Sequence, residues 1–199
     1  MRFVAFTLAL AGCHSVATPP ATSELKMHVT LAAAQTDSDI AIASVAMHLT
    51  QLRAVSDRSA VDPRALSSDI DLGLGDTADL ALPGAPPGLY SGVDVLLGSA
   101  ADSGLDIRGV WNAARVHVTL TSTPFDVRCV DPVRLDPGQR AQLTVQIDPT
   151  IWFAGVKLGD AASDPDDNGV VISIDDNRDL AQAVLANVMA SFTVDCAPQ

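Results

Sequence analysis

Along most of the chain apolar and polar side chains alternate with a period of two, the mark of a strand with one face buried. From Leu25 to Leu31, Met27, Val29 and Leu31 share one face, and His28 and Thr30 the other. From Ile40 to Val55, Val45, Met47 and Leu49 oppose Ser44, His48 and Thr50. The alternation recurs at Asp69 to Leu74, Asp79 to Leu82, Val93 to Leu97, Leu105 to Trp111 and Ala114 to Thr121. It appears again at Phe125 to Val130 and Ala141 to Ile147. Turn residues punctuate these runs, among them Thr36-Asp37-Ser38-Asp39, Gly75-Asp76 and Asp136-Pro137-Gly138-Gln139. Residues 56–68 are polar and aperiodic, which predicts a loop.

Only near the carboxy terminus does the period change. Asp179 to Phe192 places Leu180, Val184, Val188 and Phe192 four apart, a helical stripe. Asp175, Asp176 and Asn177 stand before it as candidate caps. Thr193 to Cys196 then predicts a last short strand. Short strands between Gly, Pro and Asp turns, closed by one helix, predict a mainly β fold: a β-sandwich or related barrel.

Ahead of these strands stand Met1-Arg2, an apolar run from Phe3 to Ala9, and Leu10-Ala11-Gly12-Cys13. The last four resemble the lipobox of bacterial lipoprotein signal peptides. That resemblance implies cleavage between Gly12 and Cys13, with a diacylglycerol on the Cys13 thiol. The apolar run is too short to span a bilayer. One acyl chain holds a protein only marginally, whereas two or more anchor it. An ordinary secretory peptide is the alternative, because Ala9-Leu10-Ala11 also satisfies a small-x-small cleavage rule. The resulting division is a signal peptide at 1–12, a lipidated tether at 13–24 and one domain at 25–199. Residues 14–24, HSVATPPATSE, have the small, polar, Pro-containing make-up of a flexible tether. The expected place is the bacterial cell envelope, at the outer membrane, with the membrane as a partner through the lipid.

Composition narrows this further. An apolar content of 48% can build a real core, and no later stretch approaches the eighteen or so apolar residues of a span. A net charge of −12 gives no electrostatic footprint for nucleic acid and repels anionic lipid surfaces. With Cys13 assigned to lipid, Cys129 and Cys196 remain, and an exported protein most often pairs two such cysteines. Two separate buried thiols are the alternative.

The segment Leu82 to Leu97, LPGAPPGLYSGVDVLL, resembles the L-P-x-G-x-Y-then-strand signature of transthyretin-like sandwiches. The wider order of residues 25–155, with Leu135-Asp136-Pro137-Gly138 before a strand reaching Trp152-Phe153, resembles bacterial lipoprotein domains of unassigned function. The resemblance implies a transthyretin-like (Ig-like) antiparallel β-sandwich with one C-terminal α-helix, and no particular reaction.

One constellation suggests chemistry. Asp164 to Asp175 fits a twelve-residue calcium loop of the EF-hand or dockerin type. Asp164, Asp166, Asn168 and Asp175 supply side-chain oxygens, Gly169 the sharp turn and Val170 a backbone carbonyl. Position 12 is Asp rather than Glu, and no helix is predicted before the loop. The alternative is an acidic turn ahead of a strand at Val170 to Ile174. His28, His48 and His117 sit in alternating strands and read as surface or satisfied sheet histidines. No H-E-x-x-H, G-x-S-x-G, P-loop or zinc-type Cys spacing occurs. The leading expectation is a non-enzymatic envelope lipoprotein with a structural or interaction role, calcium-stabilised and with an envelope protein or glycan as partner. A carbohydrate- or ligand-binding module is the alternative, and it predicts Trp111 and Trp152 exposed side by side on a sheet face.

Overall fold

A computed structural model turns this alternation into two packed sheets and one helix; it describes residues 22–33, 40–58, 67–99, 103–121, 123–164 and 169–199. The strands are β1 (Glu24–Leu31), β2 (Ala41–Ser56), β3 (Ser67–Leu72), β4 (Thr77–Pro83), β5 (Gly88–Leu97) and β6 (Leu105–Trp111). They continue with β7 (Ala114–Leu120), β8 (Thr123–Leu135), β9 (Arg140–Ile147), β10 (Ser163–Asp164) and β11 (Gly169–Ile172). The helix α1 (Arg178–Ala190) and β12 (Phe192–Pro198) end the chain. The smaller sheet has the order β12-β9-β1-β4, and the larger β10-β11-β7-β6-β2-β5-β8 with β3 added on β2. The expected sandwich is present. Most pairs are antiparallel, but β1 with β9 and β11 with β7 run parallel.

The long β2 organises the larger sheet. Its Leu49 faces Leu97 of β5 and its Met47 faces Leu105 of β6. Between them His48 donates its backbone N–H to the Gly104 carbonyl (2.8 Å) and accepts from the Gly98 N–H (2.9 Å). β5 and β6 therefore follow one another along a single edge of β2. β7 and β8 repeat this one position further out, Leu120 facing Leu105 and Thr123 facing Leu97. The smaller sheet closes one half of this face. In the other half α1 takes over, burying Ala181, Val184 and Val188 beside β7 and β11, whose Val116, Val118, Val170 and Ile172 are buried.

Local chemistry explains several joints. Tyr90 is fully buried and donates its hydroxyl to the Pro86 carbonyl (2.9 Å), fixing the approach to β5. Burial pushes the Tyr90 hydroxyl above its ordinary pKa, against the lowering effect of Ser56 and with Asp57 adding to the rise. Two residues later a Cβ on Gly92 would lie 2.2 Å from the Val127 carbonyl oxygen, so no side chain fits there. Next to this contact β8 is bulged. Tyr90 faces Val133 and Gly92 faces Arg128, leaving Cys129 to Pro132 opposite Ser91 alone. The β6–β7 hairpin turns on Asn112 and Ala113, both at positive φ (48° and 66°), as a two-residue type I′ turn requires.

The carboxy-terminal elements differ from the sequence expectation in detail. Phe192 belongs to β12 rather than to the helical stripe, and it meets Phe125 edge-on with ring centroids 4.9 Å apart. Asn177 occupies the N-cap position in a left-handed conformation, but its side chain makes no capping hydrogen bond. Instead it accepts from the Ala162 N–H (2.8 Å) and donates to the carbonyls of Ala162 (3.2 Å) and Val171 (2.7 Å). One amide thus ties the approach to β10 to β11, at the cost of a cap.

Candidate interaction site

The polar halves of the alternating strands meet on the outer sheet faces, and there the histidines find partners. His48 on β2 lies opposite Asp71 on β3, with Nδ1 2.5 Å from the carboxylate and Nε2 3.8 Å from Asp69. His28 on β1 lies opposite Asp79 on β4 at 2.6 Å. His117 on β7 reaches Asp106 on β6 at 2.7 Å. Asp106 also accepts from Arg108 Nε at 3.1 Å. Burial works to raise the Asp106 pKa, but the hydrogen bonds and charges of His117 and then Arg108 outweigh it. The carboxyl is held below its ordinary range. Across the other half of the same face, Arg53 on β2 pairs with Asp94 on β5, its Nε 3.1 Å from the carboxylate.

A cleft of about 310 Å³ opens where β5 gives way to β6. Val45, Ala46, Met47 and Leu72 form its apolar lining, and His48, Asp71, Asp76, Ser103 and Asp106 its polar one. Asp76 is already engaged as a turn acceptor, taking the Gly73 N–H at 2.7 Å. Among the described residues no three His, Cys, Asp or Glu side chains gather as a metal site. The cleft offers carboxylate oxygens above an apolar floor, a surface suited to a cationic group carried on an apolar body. A second groove, of about 510 Å³, runs over Arg53, Asp94, Leu96, Pro124 and Phe125.

The residues singled out from the sequence are distributed as follows. Cys129 and Cys196 are joined, with a Cα separation of 5.9 Å that links bulged β8 to edge strand β12. Cys13 lies outside the described residues, as do Asp166 and Asn168. Asp164 ends β10 and faces Gly169 at the start of β11, to which β10 runs antiparallel. Val170 sits within β11, paired with Ser163 on one side and Val116 on the other. Asp175 stands in the turn before α1, its N–H on the Ser173 hydroxyl (3.2 Å). Trp152 is wholly buried and donates its indole N–H to Ser191 (2.9 Å), while Trp111 is only partly buried. The two indoles do not form an exposed pair. The His–Asp pairs went unpredicted because they depend on strand register; a His at a polar position facing a strand with alternate Asp was the available signal.

No family model and no curated protein matches this chain. Among solved structures it is similar to a "putative cell adhesion protein" from Bacteroides eggerthii, at 12% identity and a TM-score of 0.30. The match covers 89% of this chain and 55% of that one, so this chain spans about half of that protein's length. A likeness of that degree carries neither activity nor partner across.

Proposed function

We propose that the chain is a cell-envelope lipoprotein whose disulfide-closed β-sandwich acts by interaction rather than catalysis. The observation that carries the reading is Leu10-Ala11-Gly12-Cys13 behind a short apolar run. No helix among the described residues is long and apolar enough to cross a membrane. The anchor in this reading is the lipid on Cys13, two or three acyl chains being enough to hold a domain at a bilayer. From Cys13 to the start of β1 at Glu24 the chain reaches at most about 40 Å when extended. The domain would therefore stand off the headgroups, a position its net charge of −12 favours at an anionic surface. The carboxylate-rimmed cleft is the surface this reading offers to a partner, one that presents a cation. A partner that is a glycan gains nothing from Trp152, which is buried.

The same reading has the 164–175 segment hold a calcium ion through Asp164, Asp166, Asn168 and Asp175 and the Val170 carbonyl. Calcium there would supply charge neutralisation and stability.

Radiolabelled palmitate fed to expressing cells tests the anchor. The wild-type chain should carry label and sediment with membranes, and Cys13→Ala should do neither. An unlabelled mature wild-type chain beginning elsewhere would leave a secreted domain and overturn the reading.

A further inference from the structure

We infer that the outer edge of β2 at 41–46 takes up an extended segment of a partner protein as an added strand, one that carries Lys or Arg beside Asp76. The inference deepens the interaction role proposed above and rests on it, but not on the lipid anchor. Met47 faces both Leu105 of β6 and Leu72 of β3, so these two strands lie on opposite edges of β2. β6 follows its edge from Met47 back to Ala41, whereas β3 pairs only between Met47 and Arg53. Among the described residues, no strand pairs with the β3 edge of 41–46.

The reason β3 stops is visible in the turn that follows it. In register, the ladder would next set Val45 against Leu74, but β3 ends at Leu72. The chain crosses to the smaller sheet instead. The Gly73 N–H donates to the Asp76 carboxylate (2.7 Å), and Leu31 of β1 donates to the Asp76 carbonyl (3.0 Å) and accepts from the Gly75 N–H (2.9 Å). Gly73 itself stays beside the open edge, where a Cβ on it would lie 3.6 Å from the Val45 carbonyl oxygen. On its opposite edge β2 already holds two strands end to end, β5 and then β6. An added strand would continue β3 in the same manner.

Open backbone edges recruit strands, and proteins guard them with charge, proline, bulges or brevity. The other margins here are guarded. β4 carries Asp79 and Pro83, β12 carries Asp195 and Pro198, β8 has its bulge with Asp131 and Pro132, and β10 is two residues long. Residues 41–46 read Ala-Ile-Ala-Ser-Val-Ala, without charge, proline or glycine. Their exposed side chains, Ala41, Ala43, Ser44 and Ala46, are small and leave the backbone within reach of another chain.

Charge selects the occupant. Where β3 gives way to the turn, the Asp76 carboxylate takes the Gly73 N–H and, among the described residues, meets no cation. Asp71 and Asp106 in the neighbouring cleft are already engaged, the first by His48 and the second by His117 and Arg108. The charge that calls for a partner is therefore that of Asp76, supported by a net charge of −12 that steers cationic chains inward. A second copy of this chain is the poorer occupant: it carries the same net charge, and its own 41–46 stretch brings no Lys or Arg. In strand addition the main-chain bonds give affinity, and the cation fixes which segment fits and how far it slides.

Amide chemical shifts of the isotope-labelled full chain, titrated with synthetic peptides, test the inference. The probe is a capped peptide of about eight residues, alternating valine and threonine, with a lysine at each end. A second peptide has glutamate at both ends, and a third is the lysine peptide N-methylated throughout. The lysine peptide should shift the amides of 41–46 saturably at about millimolar concentration. The glutamate peptide should bind roughly two- to fivefold more weakly, and the N-methylated one should leave those amides unmoved. Asp76→Asn, which keeps an acceptor for the Gly73 N–H, should narrow the gap between lysine and glutamate peptides. Asp131→Asn, on the guarded edge of β8, should keep it. Unmoved 41–46 amides with the lysine peptide, equal shifts with the N-methylated peptide, or a gap indifferent to Asp76→Asn overturns the inference. Shifts confined to His48, Asp71 and Asp106 also overturn strand addition, yet leave the cation-accepting cleft of the proposed function standing.

Discussion

Replacing Cys129 and Cys196 together by alanine should cost this domain about 4 kcal/mol. The two residues are 67 apart in sequence. Closing a loop of that length removes about 15 cal/mol/K of entropy from the unfolded chain, which is about 4 kcal/mol at 25 °C. The Cα separation of 5.9 Å lies in the ordinary range for a bridge, so the native backbone accommodates the bond without moving. Both sulfurs lie in residues only 8% exposed, so the loss is not cushioned by solvent. The bridge also fastens β12, an edge strand, to β8 at its bulge, where ladder hydrogen bonds are interrupted. For a domain of this size the melting temperature should fall by roughly 8–16 °C. Urea unfolding followed by the fluorescence of buried Trp152 measures the change, with the midpoint and slope compared between oxidised wild type, reduced wild type and the double variant. The last two should coincide well below the first. A variant midpoint within about 1 kcal/mol of oxidised wild type at unchanged slope would refute the chain-entropy argument.

Ala113 sits at φ 66° in the β6–β7 turn with its side chain exposed, so it bears left-handed strain with no packing in return. Ala113→Gly should raise stability by about 0.5–1 kcal/mol, the relieved strain outweighing the added freedom of the unfolded chain, and a thermal melt showing a decrease would count against a strained turn. For the 164–175 loop, calorimetric titration of chelator-treated protein should give saturable calcium binding that Asp164→Asn/Asp166→Asn abolishes. No heat above buffer at about millimolar calcium would leave an acidic turn.

Much of the sandwich could be read from local pattern. The faces of β1, β7 and β9 follow from alternation alone, because a strand between core and water must change side at every residue. The helix likewise follows from its fourfold stripe, with Val184 and Val188 buried as that stripe requires. The pattern failed where geometry departs from regularity. β8 was expected to stop at Val130, because the bulge from Cys129 to Pro132 breaks the alternation, yet the strand resumes and runs to Leu135. Asn177 looked like a helix cap, and its side chain serves two neighbouring segments instead.

What the sequence determined by itself is therefore which side chains face water: His28, His48 and His117 fall on polar faces through periodicity alone. Only the tertiary structure decided what they meet there. Asp79, Asp71 and Asp106 become their partners through the register of β1 on β4, β2 on β3 and β6 on β7. Alternation is a property of one strand and can be read locally. Register is a relation between two strands distant in sequence, set by how the whole core packs, and a slip of one residue would turn each carboxylate to the other face.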